Sequence, residues 1–167
     1  MQKYEMFRLN LPEIQPNIKH EGKKPLIFDP LRKRYVRLTP EEWVRQHFAS
    51  FLINHKHYPA SLIANEISIN LNGMSRRCDT VVFNSSLTPL MIVEYKAPTV
   101  AITQKTFMQI NAYNQVLRVP YLTITNGLTH YCCHIDYSNI KCEFLPDLPA
   151  YQELRLPPPH DNTNGQP

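Results

Sequence analysis

The sequence lacks long hydrophobic runs. Its first ten residues, MQKYEMFRLN, contain no continuous apolar stretch, which excludes a secretory signal peptide, and no segment approaches the roughly 20 apolar residues of a membrane helix. We therefore expect a soluble protein of the cytoplasm without a membrane partner. The chain has 167 residues, 43% of them hydrophobic, which suffices for the core of one domain.

Signatures of several other function classes are also missing. The four cysteines form no paired CxxC motif, so we expect reduced core cysteines rather than a zinc site. No GxxxxGK[ST] phosphate-binding loop occurs, which excludes ATP-driven translocation by this chain itself. The histidines show no convergent pattern, and no order of serine, histidine and aspartate indicates acyl transfer.

Positive charge is concentrated in the N-terminal part of the chain. Residues 1–38 contain nine Lys or Arg against four acids, although the net charge of the whole chain is only +4. The cluster Arg32-Lys33-Arg34 with Arg37 is either a contact surface for nucleic-acid phosphates or an ordinary solvated surface, and charge alone does not decide between them.

Hydrophobic periodicity predicts three regions: an irregular arm over residues 1–25, a folded domain over 26–155, and a proline-rich disordered tail over 156–167. Thr39 as N-cap and Glu42 three residues later form the capping box of a first helix. The predicted elements are strands on either side of Asp29-Pro30, a helix over 39–55, strands over 62–71, 78–83 and 90–96, a helix over 102–118, and strands within 121–135 and 140–145. This order predicts an α/β fold with a central mixed β-sheet flanked by helices.

Two opposite charges interrupt the apolar segment LMIVEYKAP, residues 90–98, which otherwise has the pattern of a buried strand. Side chains alternate along a strand, so Glu94 and Lys96 share one face, while Met91, Val93 and Tyr95 point to the other. A buried ion pair usually costs more desolvation than it returns. The pair therefore indicates either an open end of the sheet or a functional site.

A second acid is predicted to join this site. The hairpin at Asn72-Gly73 brings Asp79 to the strand next to Glu94, which gives an aspartate, fourteen intervening residues, Glu94, one residue and Lys96. Mg²⁺ binds through one or two carboxylates and keeps several waters. A lysine beside such a cation can neutralise charge that develops on a phosphate, or hold or activate an attacking water.

The segments RRCDTVVF, LMIVEYKAP and QINAY together resemble the PD-(D/E)xK nuclease superfamily. They are most similar to the N-terminal nuclease domain of type I restriction endonuclease restriction (R) subunits, and also to RecB-type nucleases. The resemblance spans roughly residues 26–130, because FDPLRKRYVRLTPEEWVRQHF and YLTITNG are similar to that family as well. It implies a restriction-endonuclease-like core and a Mg²⁺-dependent deoxyribonuclease, an endonuclease rather than an exonuclease, in which Mn²⁺ can substitute for Mg²⁺.

The resemblance also implies roles for individual residues and partners. Asp79, Glu94, Lys96 and Gln109 occupy its catalytic positions. The implied metal ligands are Asp79, Glu94, Glu42 and the backbone carbonyl of Tyr95, and the predicted DNA contacts are Tyr113, Arg76 and Arg77. The predicted partner is DNA, together with separate motor or specificity subunits if the chain is part of a restriction system. The helicase-like motor domains of an R subunit do not occur in the sequence, so a free-standing nuclease, a relic and one subunit of a larger assembly all stay open.

Alternative interpretations remain open for several of these residues. Glu42 is equally explained as a capping residue, and Glu66 is a further candidate for the acid cluster or a solvent-facing residue. Gln109 either orients a phosphate or water, or covers the core with its polar end in solvent. The whole chain is alternatively a non-catalytic DNA-binding module or subunit of a restriction or defence complex, or an interaction protein whose charges only solubilise an exposed end of the sheet.

Overall fold

Two β-sheets, two α-helices and two short 3-10 helices (Ala60–Leu62 and Tyr151–Glu153) occur in the part of the chain that the computed structural model describes, residues 7–156 apart from the side chains of Leu71 and Tyr113. The small antiparallel sheet contains β1 (Ile18–Glu21), β2 (Lys24–Asp29) and β3 (Arg34–Arg37). The large sheet has the order β4 (Ile63–Leu71), β5 (Met74–Phe83), β6 (Pro89–Tyr95), β7 (Tyr121–Thr125), β8 (His130–Asp136) and β9 (Lys141–Leu145). Strands β6 and β7 are parallel and the other neighbours antiparallel, so the predicted α/β fold with a central mixed sheet is confirmed.

Helix α1 (Pro40–Asn54) covers one face of the large sheet. It begins as predicted, because the Thr39 side chain accepts a hydrogen bond of 3.0 Å from the Glu42 backbone N–H. Val44, Phe48 and Leu52, spaced four residues apart, are fully buried in the cluster that also contains alternate residues of β6. This packing fixes the polar N-terminal turn of α1 relative to the sheet.

Helix α2 (Gln104–Leu117) connects the parallel strands β6 and β7 and covers the opposite face. Its buried Ile110 packs with Ile92, Leu122 and Ile124. Strand β6 is therefore buried on both faces, with Met91, Val93 and Tyr95 toward α1 and Ile92 toward α2, as the alternation predicts. A charged residue in β6 must find its partners inside the protein or at the strand end.

The N-terminal prediction was wrong in part. Residues 18–21 of the predicted irregular arm form β1, which pairs with β2 across a turn in which Gly22 has a φ of +61°. All four β1 residues are exposed, so the strand is held by backbone pairing and shows no apolar alternation. Strand β5 also begins at Met74, earlier than predicted, because its pairing with β4 continues to the turn at Asn72-Gly73.

The proposed boundaries of the arm, domain and tail stay predictions. The predicted disordered tail, residues 156–167, lies outside the described residues except for Leu156. Within residues 7–156, no helix combines the length and the apolar composition needed to cross a membrane.

Candidate active site

The antiparallel pairing of β5 with β6 brings the two predicted acids together. Thr80 faces Val93, so Asp79 and Glu94 are the next facing positions toward the end of β6. The Tyr95 backbone N–H donates to Asp79 Oδ2 at 3.0 Å. The Tyr95 side chain itself is buried in the core beside Phe48, so it is the Tyr95 backbone that contacts Asp79.

Two side chains converge on one oxygen of Glu94. Lys96 Nζ lies 3.0 Å from Glu94 Oε1, and Gln109 Nε2 from helix α2 lies 3.4 Å from the same atom. The other carboxylate oxygen, Oε2, is buried and has no hydrogen-bond partner among the described residues. A buried polar atom without a partner is costly, so Oε2 is a vacant acceptor inside the protein.

The environment of Glu94 disfavours its charged form. Burial and the negative charges of Asp79 and Glu41 raise the pKa of Glu94 to about 7, although Lys96 opposes this shift by its hydrogen bond and its charge. For Lys96, burial lowers the pKa, but the carboxylates of Glu94, Glu41 and Asp79 outweigh it and raise the pKa above the ordinary lysine value. Lys96 is therefore charged at neutral pH, and Glu94 takes up or releases a proton near pH 7.

Arg45 is a member of the site that sequence analysis missed. Its Nη2 lies 3.3 Å from Asp79 Oδ1, and its side chain is only 6% exposed. It also forms longer ion pairs with Glu42, at 3.7 Å, and with Glu41, at 4.0 Å. The spacing of three and four residues from these glutamates in a predicted helix was the available signal, whereas the contact with Asp79 depends on how α1 packs on the sheet.

Neighbouring glutamates of α1 have different surroundings. Glu42 Oε1 accepts from Arg32 Nη2 at 2.5 Å and from Gln46 Nε2 at 2.8 Å, so this carboxylate oxygen already has two donors. Glu41 is 44% exposed, and its charge acts on Glu94 and Lys96. Burial and the charge of Asp79 raise the pKa of Glu41. The metal-binding role of Glu42 stays a prediction, and Glu41 is the acid of α1 whose charge acts on the site.

The three predicted DNA-contacting residues do not lie on one common surface element: two are on β5 and one is on α2. Arg77 is exposed and pairs with Glu66 at 3.7 Å. Arg76 is also exposed, but adjacent strand residues project to opposite faces, so the two arginines face different ways. Tyr113 lies in α2 four residues after Gln109, and its side chain is outside the described part of the protein. The DNA-binding roles of all three stay predictions.

Comparison with known proteins gives the family. Residues 40–149, more than half of the chain, match the family described as type I restriction enzyme R protein N terminus (HSDR_N). The chain belongs to this family. The resemblance predicted from the motifs is thereby confirmed, and the matched range of the R protein N-terminal family contains Asp79, Glu94, Lys96 and Gln109. A search of curated proteins found no match.

A solved structure shares the fold of this R protein N-terminal domain. It is a fragment described as that of an HsdR subunit of a type I restriction enzyme from Vibrio vulnificus YJ016, with a TM-score of 0.52 and 18% sequence identity. The alignment covers 70% of this chain and 24% of the fragment, so the chain spans about a quarter of that structure. At this identity the likeness concerns the fold alone.

The donor set of this R protein N-terminal domain suits a divalent cation. The vacant Glu94 Oε2 lies beside the facing Asp79, and hard cations such as Mg²⁺ take carboxylate oxygens while keeping water ligands. Within residues 7–156, no three His, Cys, Asp or Glu side chains converge closely enough to hold a metal together. A cation at this place would be held by the carboxylates of Asp79 and Glu94, a number of protein ligands that Mg²⁺ accepts because it keeps several waters.

The contrast between Glu41 and Glu42 leads to a prediction about stability. Glu42→Gln lowers the free energy of unfolding by about 1–3 kcal/mol, because it removes one of the three carboxylates that pair with the largely buried side chain of Arg32. Glu41→Gln is the matched control and changes it by less than about 0.5 kcal/mol, since the Glu41 side chain is half-exposed and its one ion pair, with Arg45, is long at 4.0 Å. Urea unfolding without metal measures both. If Glu42→Gln is as stable as the wild type yet no longer binds Mn²⁺, the predicted metal role of Glu42 is right and the structural role is wrong.

Proposed function

We propose that this domain is a metal-dependent nuclease that hydrolyses phosphodiester bonds of DNA. The observation that carries the proposal is the buried oxygen of Glu94 without a hydrogen-bond partner, on a residue opposite Asp79 in the strand register, with Lys96 bound to the other oxygen of the same carboxylate. A structural ion pair would account for Lys96 and Glu94, but it would leave Oε2 and the neighbouring like charge of Asp79 unexplained. Membership of the R protein N-terminal family supports a DNA substrate and a place in a restriction system.

The proposed mechanism assigns a task to each side chain. Asp79 and Glu94 hold Mg²⁺ or Mn²⁺, together with the predicted backbone carbonyl of Tyr95. When bound, the metal supplies Lewis-acid stabilisation of charge on the phosphate and lowers the pKa of bound water. Lys96 holds its ammonium beside Glu94, where it stabilises negative charge that develops on the phosphate and orients the attacking water.

Gln109 and Arg45 hold the two carboxylates in position. Gln109 donates toward Glu94 from α2, so it fixes the position of that carboxylate and presents a polar group to a phosphate or water. Arg45 and the Tyr95 N–H both donate to Asp79 and fix the orientation of its carboxylate. Metal ligands held in this way lose little conformational freedom when the ion binds.

The proposed function is tested by incubating purified protein with plasmid and linear DNA in Mg²⁺ or Mn²⁺, with EDTA as the control. Cleavage that requires the metal and that nicks or cuts closed circular plasmid supports a metal-dependent endonuclease. Cleavage of linear DNA alone indicates an exonuclease. Absence of cleavage in either metal, with intact folding, contradicts a self-sufficient nuclease and leads to the same assay with candidate motor and specificity subunits.

One observation favours a non-catalytic DNA-binding module instead. The guanidinium of Arg45 lies 3.3 Å from Asp79, where a positive charge competes with a cation for the carboxylate. In such a module Arg45 would replace the metal as the counter-charge of Asp79. Binding of DNA that is unaffected by Mn²⁺, together with no Mn²⁺ binding by the free protein, would favour this function.

The raised pKa of Glu94 predicts a pH-dependent metal affinity. The protonated carboxyl must lose its proton to bind a cation, so binding releases a proton below the pKa of about 7. We expect the Mn²⁺ affinity to rise roughly tenfold between about pH 6 and about pH 8, and to level off above that range. Calorimetric titration without DNA measures it in two buffers of different ionisation enthalpy. An affinity and a proton release that do not change over this range would contradict the assignment.

A further inference from the structure

Glu66 has an unusual backbone conformation directly opposite Asp79. Asn65 pairs with Thr80 and Ile67 with Cys78, so Glu66 and Asp79 face each other between these pairs. Glu66 has a φ of +58°, the left-handed region that few residues other than glycine occupy. Such conformations persist where surrounding contacts hold them, and they cluster at functional sites.

Four arginines surround the Glu66 carboxylate. Two of them have side chains that are largely shielded from solvent, 11% exposed for Arg32 and 6% for Arg45: Arg32 Nη1 lies 3.2 Å from Glu66 Oε2, and Arg45 Nη1 lies 3.9 Å from Oε1. The other two are exposed: Arg34 Nη2 lies 3.4 Å from Oε2, and Arg77 Nη1 lies 3.7 Å from Oε1. Burial opposes ionisation of Glu66, but the nearby Arg32, Arg77 and Arg45 outweigh it and lower its pKa. One ionised carboxylate therefore holds arginines from two sheets and a helix.

At the surface, two exposed arginines share one carboxylate, that of Glu66. The shielded pair has carboxylates of its own, because Arg32 also binds Asp29 and Glu42, and Arg45 also contacts Asp79. The single charge of Glu66 is then left to compensate both exposed arginines. Their side chains are 64% and 66% exposed, so each guanidinium keeps N–H donors free for an anion.

The distance of the exposed arginines from the active site determines which phosphate of a nucleic-acid strand they can bind. Arg77 lies two residues before Asp79 in β5, on the same face by strand alternation and about 7 Å along the strand. That separation is on the scale of neighbouring phosphates of one nucleic-acid strand. Arginine is well suited to phosphate because its planar donors bind two oxygens at once.

We propose that Arg34 and Arg77, held together by Glu66, bind a backbone phosphate of the DNA adjacent to the phosphate at Asp79 and Glu94. This proposal rests on the proposed function, because it presupposes a DNA substrate. In this proposal Arg34 and Arg77 make no contact with the reacting atoms. They fix the position of the DNA strand along the active site. Glu66 is a positioning residue for both. Within the basic N-terminal cluster, this proposal gives a specific role to Arg34.

The test is DNA binding measured by fluorescence anisotropy with a labelled short duplex in EDTA, over a series of salt concentrations. Each of Arg34→Gln and Arg77→Gln should weaken binding several-fold. Since both arginines address one phosphate, the double variant should reduce the slope of log affinity against log salt by about 0.9 rather than by twice that value. Arg34→Lys keeps the charge and should retain most of the slope.

Lys141→Gln is the matched control. Lys141 is 68% exposed, pairs with Glu143 at 3.7 Å, and lies on β9 at the opposite edge of the sheet from β4. Lys141→Gln removes the same single charge as Arg34→Gln or Arg77→Gln, at a similar exposure. It therefore reports the effect of net charge alone. If Arg34→Gln and Arg77→Gln each bind DNA as Lys141→Gln does, or if the wild type binds no DNA, the proposal is overturned.

Cleavage assays of the same variants in Mg²⁺ separate this proposal from the proposed function. Binding that depends on Arg34 and Arg77 in a protein that cleaves nothing supports the phosphate site and contradicts the nuclease. Metal-dependent cleavage by a wild type whose single arginine variants both bind DNA like the Lys141→Gln control contradicts the phosphate site and leaves the nuclease intact.

Discussion

Replacing Lys96 by alanine will reduce DNA cleavage by at least about 100-fold, which is the usual effect of removing one charged donor from a phosphate- or oxyanion-stabilising site. Lys96 Nζ lies 3.0 Å from Glu94 Oε1, and its raised pKa keeps it protonated at neutral pH. The charge is therefore present where negative charge develops on the phosphate. Single-turnover cleavage with saturating Mg²⁺ measures the loss.

The same variant should keep its metal affinity, but only where Glu94 is ionised. Lys96 lowers the pKa of Glu94, so its removal raises that pKa further above 7 and weakens metal binding at neutral pH. At about pH 8.5 or above, the Mn²⁺ affinity of Lys96→Ala should approach that of the wild type. Simultaneous loss of folding and of metal binding at this pH would show that Lys96 is a structural residue instead.

Lys56→Ala is a suitable control for Lys96→Ala. Lys56 is also in an ion pair, with Asp147 at 2.7 Å, and its side chain is 18% exposed compared with 21% for Lys96. Its pair lies away from Asp79 and Glu94. Cleavage by Lys56→Ala should remain within a few-fold of the wild type, so a comparable loss in both variants would indicate a general effect of lysine removal.

Replacing Asp79 by asparagine will abolish detectable cleavage and weaken Mn²⁺ binding by at least about tenfold. Asparagine keeps the shape of the side chain and can still accept the Tyr95 N–H, so the fold should survive. The variant also removes a charge that raises the pKa of Glu94, so that pKa should fall. Cleavage, calorimetric Mn²⁺ titration and carboxyl ¹³C NMR of Glu94 measure the three effects.

Asp147→Asn controls for the removal of a carboxylate. Asp147 pairs with Lys56 and is 77% exposed, so its replacement leaves the candidate site unchanged. We expect wild-type cleavage and Mn²⁺ affinity from this variant. Asp79→Asn protein that cleaves DNA at the wild-type rate would contradict the proposed metal site, whatever happens to the Glu94 pKa.

Elements with a strong hydrophobic periodicity could be predicted from the sequence, whereas an element without such a periodicity could not. Helix α1 begins at the predicted Thr39 cap because a local hydrogen bond and an apolar stripe agree. Strand β1 was missed because all its residues are exposed and only backbone pairing with β2 defines it. Local pattern carries no signal for a strand whose two faces both lie in solvent.

The grouping of Asp79, Glu94 and Lys96 could also be predicted, because strand alternation and one hairpin determine it. The surroundings of that group could not. Arg45 reaches Asp79 across 34 positions of the sequence, and this contact depends on the docking of α1. The Glu94 pKa depends on burial by α2 and on the charge of Glu41, which are both properties of the packed protein.

The most direct test of the account is a crystal structure of the protein soaked with Mn²⁺, with anomalous diffraction measured at the manganese absorption edge. We expect one anomalous peak within coordination distance of an Asp79 carboxylate oxygen and of Glu94 Oε2, the buried oxygen without a hydrogen-bond partner. A peak only at other residues, or no peak at a pH at which Glu94 is ionised, would contradict the claim that these two carboxylates form a metal site.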